Sequence, residues 1–487
     1  MSLRVRKVVL MVVAMAGSAA QVAAQVPSPR STSASARPNI VFIVGEGHGW
    51  SSLSVPSDDT APASKSNHVR TPNFERLARE GMRFSRFYAP SPRCTPSRAA
   101  YFTGVNPAKL GMTFVGVGRS EGGSTDPGAK LATPRPVLEL PESTTTIAEL
   151  LKRAGYATAH FGKWHVGRTS PARHGFDDSD GATSNGGPEN VENPHPKQLF
   201  GMTDRGLAFM KRQVAARRPF YLQLSHYASR RGGDASAEAR EAVKAWGSGL
   251  DERRLGEAAC DFDLDLALGK LLEGINDLGV AGNTFVVFTT DHGSPGRNPP
   301  LDGGKGSVRE GGLRVPLIVR GPGVAAGVCS HVPAFGADLV PTFAALARVK
   351  EALPPDVEGG SLVPLLTNQG KGTVKRPGGE PVVHFPHYDG DPLGPASALY
   401  SGSLKVIHVY ETGAVRLFDV ERDPGERRDL APELPDKARQ MDNALRDRLK
   451  VLGARFPTPN PTYDPKRTPA TKQDRRGGAR KKGRVDR

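Results

Sequence analysis

Cys94-Thr95-Pro96-Ser97-Arg98 puts a nucleophile and a cation within one helical turn of each other. Thr95 suits a helix cap, Pro96 the first helical position, and Gly104 the far end. A cysteine at a helix N-terminus meets the positive end of the helix dipole, which lowers a thiol pKa and attracts anions. Arg98, four residues on, lies on the same face. The chemistry on offer is capture of, or attack on, an anionic ester. Taken alone, this spacing favours an ordinary buried cysteine beside a surface helix.

Two other clusters carry chemistry. Lys163 and His165 are two apart, so an extended segment points both to one side. A lysine holds an anion as a point charge, and a histidine removes a proton. Asp291-His292 follows the largely apolar stretch Thr284 to Thr290. The carboxyl end of a parallel strand is where α/β folds place their ligands. Asp suits a hard cation, and His is a less usual ligand for calcium.

The elements that must hold these residues alternate along the chain. Asn39 to Val44 is a continuous apolar run, the mark of a strand buried on both faces. Thr146 to Ala154 has helical spacing and Gly155 to end it, and a short strand with Tyr156 and Ala159 follows. Phe220 to Leu224, Thr284 to Thr290 and Arg314 to Val319 read as strands; Asp263 to Leu278 and Asp338 to Leu346 read as helices. This alternation predicts an α/β fold with a mostly parallel central sheet flanked by helices. From about residue 350 Pro and Gly rise. Pro381 to His384 and Leu404 to Val409 look like antiparallel strands, and a helix is expected near Lys437 to Leu452, which makes a smaller C-terminal α+β domain.

Cys94 to Gly104 resembles the full signature of the sulfatases, Cys-x-Pro-Ser-Arg followed by Thr-Gly, and Gly155 to Gly167 resembles their second signature. Gly303-Gly304-Lys305-Gly306 with Glu310 to Pro316, and the segments around Leu417 and Asp423, are similar to later family segments in the same order. The resemblance runs from about Arg37 to Leu452 and implies an alkaline-phosphatase-like fold. It also implies that Cys94 is oxidised by a maturation enzyme to formylglycine, whose hydrate attacks the sulfur of a sulfate ester. Arg98 then supports the hydrate, Lys163 and Lys305 hold sulfate, and His165 is the base. Glu46, Asp291, His292 and the residue at Cys94 hold a divalent metal, calcium being expected. The implied substrate is a sulfated small molecule or glycan.

Two positions depart from the family pattern. Ile43-Val44-Gly45-Glu46-Gly47-His48 places Glu46 and Gly47 where two adjacent Asp ligands are usual. Ser229-Arg230-Arg231 stands where a Pro-His pair is usual, making Arg230 a substrate-contact candidate that cannot serve as a general acid at neutral pH. The alternatives to an active sulfatase are therefore an impaired member that binds sulfated glycans, and a phosphonate or phosphodiester hydrolase of the same superfamily.

Arg4, Arg6 and Lys7 precede an apolar run, Val8 to Ala20, with Ala23 and Ala24 as a cleavage site, so residues 1–24 read as a secretory signal and 25–36 as a Ser/Pro-rich linker. The expected protein is exported, periplasmic or secreted, without stable membrane insertion. The catalytic domain is expected over 37–350 and the smaller domain over 351–455. Half of the net charge of +16 sits in residues 466–487, where ten basic residues face two acidic ones. The stretch 456–487 reads as a basic, disordered tail, and no nucleic-acid module accompanies it. If Cys260 and Cys329 pair, Cys94 is the cysteine left over for chemistry. The sequence does not specify an oligomeric state.

Overall fold

The computed structural model describes residues 37–115, 126–185, 197–227, 234–246, 249–295 and 298–467. The first apolar run forms the strand Asn39–Gly45, buried along its whole length. Its side chains divide by the two-residue period of a strand. Ile40, Phe42 and Val44 enter one core with Tyr101, Phe102, Ile147 and Phe343. Val41 and Ile43 enter another with Phe74, Phe209, Leu264 and Leu271. A strand covered on both faces is apolar at every position, which is why no alternation marks it.

This strand lies within an eight-stranded sheet ordered Cys329–Ser330, Met82–Phe84, Leu317–Arg320, Thr284–Thr290, Asn39–Gly45, Phe220–Ser225, Ala157–Gly162, Asp178–Ser179. The last five run parallel, and Leu317–Arg320 is antiparallel to Thr284–Thr290. Helices Cys94–Thr103, Ile147–Arg153 and Leu339–Leu346 cover one face, and Pro72–Glu80, Leu199–Ala215 and Glu252–Asp277 the other. The α/β architecture is as expected.

Local chemistry sets the element ends. Ile147–Arg153 begins at a reciprocal cap, in which Thr146 and Glu149 each accept from the other's backbone N–H, and Gly155 at φ +88 turns the chain after it. The expected helix from Asp263 starts earlier, at Glu252, capped by the Asp251 side chain; its charged first turns hide it from a search for apolar periodicity. The expected strand Arg314 to Val319 breaks at Pro316, which has no N–H for a ladder. Arg314–Val315 pairs with Phe87–Tyr88, and only Leu317–Arg320 joins the large sheet.

Val382–Phe385, Ala396–Ser401, Leu404–Val409 and Val415–Asp419 form an antiparallel meander. One face packs on helix Pro435–Val451 through Met441, Leu445 and Leu449. The other, with Phe385, Tyr400 and Ile407, packs on Tyr88, Leu313 and Phe335. Within that contact Lys405 Nζ is fully buried, 3.0 Å from Glu310 Oε1 and 2.8 Å from Glu426 Oε1. Beyond it, Thr458–Pro459 pairs with Leu131–Ala132, and the Asn460 amide donates to the Asp126 and Ala129 carbonyls. Ordered chain therefore runs past residue 455 to 467. The expected signal and linker, and residues 468–487 of the basic tail, lie outside the described residues.

No helix among the described residues is long and apolar enough to cross a membrane. No disulfide joins Cys260 and Cys329: the first is buried in Glu252–Asp277, and the second lies on the edge strand Cys329–Ser330.

Candidate active site

Four adjacent parallel strands end on one side of the sheet, and the residue after three of them is held by one more ladder bond. The registers Gly45 to Thr290, Val44 to Ser225 and Gly162 to Ser225 align the ends. Asp291 N–H then donates to the Gly45 carbonyl (3.3 Å), His226 N–H to Val44 (2.9 Å) and Lys163 N–H to Ser225 (2.7 Å). Glu46, Asp291, His226 and Lys163 are thereby presented side by side at the carboxyl ends, where such folds bind ligands.

Cys94 comes from the facing side as the first residue of helix Cys94–Thr103. The cap is Arg93, not Thr95 as the sequence led us to expect. Thr95 lies inside the first turn, and its hydroxyl donates to the His165 carbonyl at 2.9 Å, tying the cysteine helix to the lysine–histidine segment. Gly104 ends the helix at φ 71 with its N–H on the Ala100 carbonyl.

Glu46 is the hub. Lys163 Nζ lies 2.6 Å from Oε2, Lys305 Nζ 2.8 Å from Oε1, and Arg98 Nη2 3.3 Å from Oε2. Arg98, fully buried, also donates to Asp291 Oδ2 (3.1 Å) and to the Lys163 carbonyl (2.8 Å). Cys94 Sγ is 3.3 Å from His292 Nε2, 3.4 Å from Lys305 Nζ and 3.5 Å from Glu46 Oε1. The Gly293 carbonyl, 2.9 Å from His292 Nδ1, fixes the proton there and turns Nε2 to the cluster. The Lys305 loop reaches in because backbone packs on backbone: a Cβ on Gly293 would collide with the Gly311 carbonyl. Lys163 is wholly buried while the Lys305 side chain is 18% exposed, so the site opens on the Lys305 side.

Burial opposes every charge here, and the partners decide the outcome. Against burial, Lys163 and Lys305 hold the Glu46 carboxyl well below its ordinary pKa. Burial and Glu46 push the Cys94 thiol up, but Lys163, Lys305 and His292 bring it well below the usual thiol range. Burial and Glu46 raise Asp291 to about 6. His292 is pulled down by burial yet raised by Asp291 and Cys94 to about 9. Burial and Lys163 lower His165 to about 4, so it is neutral at pH 7. A bound divalent cation displaces the protons of its own ligands and resets those values.

The structure joins Glu46, Cys94, Arg98, Lys163, Asp291, His292 and Lys305 in one network of hydrogen bonds and ion pairs. His165 arrives by a route the sequence did not predict. The segment after Gly162 is not extended; His165 sits at φ 58, a strained conformation for a residue with a side chain, and its ring lies close enough to Cys94 to feel its charge. Arg230 lies outside the described residues. His48 is occupied by Asp261 at 2.8 Å. Glu46, Cys94, Asp291 and His292 each bring a donor atom within 4.8 Å of the others. Two carboxylates, a backbone-oriented imidazole and the residue-94 side chain fit a divalent cation.

Sequence reading missed an ion pair at the opening. Arg93 binds Asp389, which follows the strand Val382–Phe385, and Asp389 packs against Gly306, next to Lys305. Arg93 also lies over the Phe114 ring, 5.5 Å from its centroid. Nothing around Asp389 in the sequence marks it; the only signal was that Arg93 precedes Cys94.

Comparison with known proteins gives the family and the fold. The Sulfatase family model matches residues 38–349. The N-acetylgalactosamine-6-sulfatase of Sus scrofa is 31% identical over 376 residues, covering 69% of this chain and 67% of its own. Arylsulfatase A of Homo sapiens is 29% identical over 489 residues, covering 86% and 88%. The solved structure of Ps i-CgsB in complex with k-i-k-neocarrahexaose superposes with a TM-score of 0.69 at 24% identity, covering 92% of this chain and 98% of that one, a likeness of fold.

Proposed function

The chain belongs to the sulfatase family, the sulfuric ester hydrolases, and from that premise we propose that it cleaves the sulfate ester of a carbohydrate, with Cys94 matured to formylglycine and a divalent cation at Glu46, Asp291 and His292. The observation that carries this reading is the meeting of Cys94, Glu46, Lys163 and Lys305 in one buried cluster at the carboxyl ends of the parallel strands.

Formylglycine formed from Cys94 supplies a hydrated aldehyde as the oxygen nucleophile, and the cation supplies charge for the sulfate oxygens. This chain's residues do the rest. Lys305, the more exposed lysine, meets the sulfate first, and Lys163 holds it from the buried side. Arg98 positions Glu46 and Asp291. His165, neutral at pH 7, takes the proton at residue 94. Arg230 is the proposed contact to the leaving oxygen. A relative named N-acetylgalactosamine-6-sulfatase, and a fold neighbour solved with k-i-k-neocarrahexaose, support a sulfated carbohydrate. Residues 1–24 support export. Calcium is the expected cation; the imidazole among the donors suits borderline ions better, so manganese and zinc belong beside it in the assay.

The test is co-expression with a formylglycine-generating enzyme, mass spectrometry of the Cys94 peptide, and hydrolysis of an aryl sulfate and a panel of sulfated sugars. Conversion of Cys94 with release of sulfate is the expected result. An unmodified thiol with no turnover sinks the reading, and a phosphodiester cleaved faster than every sulfate ester moves it to the phosphoryl hydrolases.

A further inference from the structure

At the outer edge of the central sheet a second set of donors meets. Cys329 lies on the edge strand Cys329–Ser330, His331 follows it, and Asp59 comes from the loop after Asn39–Gly45. Each brings a ligand atom within 4.8 Å of the other two. His331 Nε2 is 3.1 Å from Asp59 Oδ1. On the other side of the ring, Nδ1 lies 2.9 Å from Ser85 Oγ, and that hydroxyl donates to the Ser330 carbonyl at 3.4 Å. The hydroxyl therefore accepts from Nδ1–H, and Nε2 faces Asp59, where a metal ion would take the place of the Nε2 proton, the way metal-binding imidazoles are oriented. An ion pair accounts for Asp59 and His331. The Cys329 thiol at the same point has only a long contact to the Ser57 carbonyl, 3.7 Å, which a metal bond would replace.

From this geometry we propose that Asp59, Cys329 and His331 form a second cation site, distinct from the Cys94 cluster, that takes a borderline divalent ion of the zinc class. Thiolate, imidazole and carboxylate together match zinc and not calcium, which prefers oxygen alone. Zinc bonds of about 2.0–2.3 Å place tetrahedral donors roughly 3.3–3.8 Å apart. The present spread closes by side-chain rotation, because the side chains of His331 and Asp59 are 45% and 48% exposed. Binding releases the Cys329 proton to solvent as the sulfur–metal bond forms. Cys329 and His331 also line a cavity of about 850 Å³ that includes Arg86, Lys371 and Arg376 and no residue of the Cys94 cluster. The fourth position of the ion faces room for water or a small anion, the arrangement of an open site rather than a closed structural one.

Cobalt(II) separates this site from the first. A Cys94→Ala chain, stripped with a chelator and titrated with cobalt(II), is expected to develop a thiolate-to-cobalt absorption band that saturates at one equivalent. Zinc then displaces the band. It persists when Cys260→Ser is added and disappears with Cys329→Ser. His331→Ala and Ser85→Ala, both read in the Cys94→Ala background, weaken cobalt binding about tenfold or more. His331 is partly exposed, so its variant keeps the test alive if Cys329→Ser fails to fold, which circular dichroism reports. A Cys94→Ala chain that shows no thiolate band at saturating cobalt overturns the proposal. So does a band that survives Cys329→Ser, or an affinity unmoved by both His331→Ala and Asp59→Asn.

Discussion

The His292 ring crowds the place of a side chain on residue 47: a Cβ built on Gly47 falls 3.2 Å from His292 Cε1 and 3.3 Å from Pro295 Cδ. The missing second carboxylate and the histidine after Asp291 are thus one feature, not two. Gly47 also sits at φ +66, where its N–H reaches Asp291 Oδ1 at 3.2 Å. Gly47→Asp is expected to cost about 1–2 kcal/mol for the left-handed backbone and to weaken cation binding by displacing His292. Gly47→Asp with His292→Asn restores the affinity. Calorimetric titration across the four-member cycle measures the coupling, and simple additivity refutes it.

His165 holds a left-handed backbone, with its carbonyl accepting from Thr95 beside Cys94. Asn tolerates that conformation, and a β-branched residue does not. His165→Asn should fold with a near-native melting temperature and lose about 10²–10⁴ in kcat. His165→Val should lose folding as well. Parallel thermal melts and turnover assays separate the two effects.

Among the described residues, four buried histidines besides His165 are held far on the neutral side. Burial lowers His160, His226 and His387 to about 3 and His384 to about 4. The unfolded chain takes up protons at these positions near pH 6.5 while the folded chain refuses them. Their stabilising contribution is complete above pH 6.5 and is lost as pH falls toward 4 and 3. The slope reaches about 1.4 kcal/mol per pH unit for each histidine. Urea midpoints at pH 7, 6 and 5 measure it; a flat profile contradicts it.

Lys405 lies between Glu310 and Glu426 with no access to water. Lys405→Met strands two buried carboxylates and is expected to cost about 3–5 kcal/mol in chemical denaturation. Adding Glu310→Gln and Glu426→Gln should return part of that loss, since the stranded carboxylates are removed while Arg314, 3.8 Å from Glu310, keeps Asp58 at 3.5 Å as its partner. Failure of the triple variant to recover assigns the loss to packing instead.

Much of the site was legible because its residues sit in short contiguous patterns. Cys94 with Arg98, Lys163 with His165, and Asp291 with His292 are each neighbours in sequence, and the strands before them are apolar runs. What escaped is what depends on distant segments. The left-handed turn at His165 is imposed by its bonds to Thr183 and Thr95, neither of which marks it in advance. Thr95 looked like a cap because caps are local; the His165 carbonyl, seventy residues on, claimed its hydroxyl instead. Asp389 needed the whole meander to bring it to Arg93. Arg314 to Val319 looked like one strand because its side chains are uniform, whereas Pro316 acts through the backbone.

The ion pair between Arg93 and Asp389 also bears on how such proteins diversify. The match to the family ends at residue 349, while one side of the opening is drawn from residue 389. A hybrid that exchanged everything past residue 350 would keep one parent's nucleophile and acquire the other's doorway. The nucleophile and one wall of the opening are thus written on separate stretches of the same gene, free to drift at different speeds.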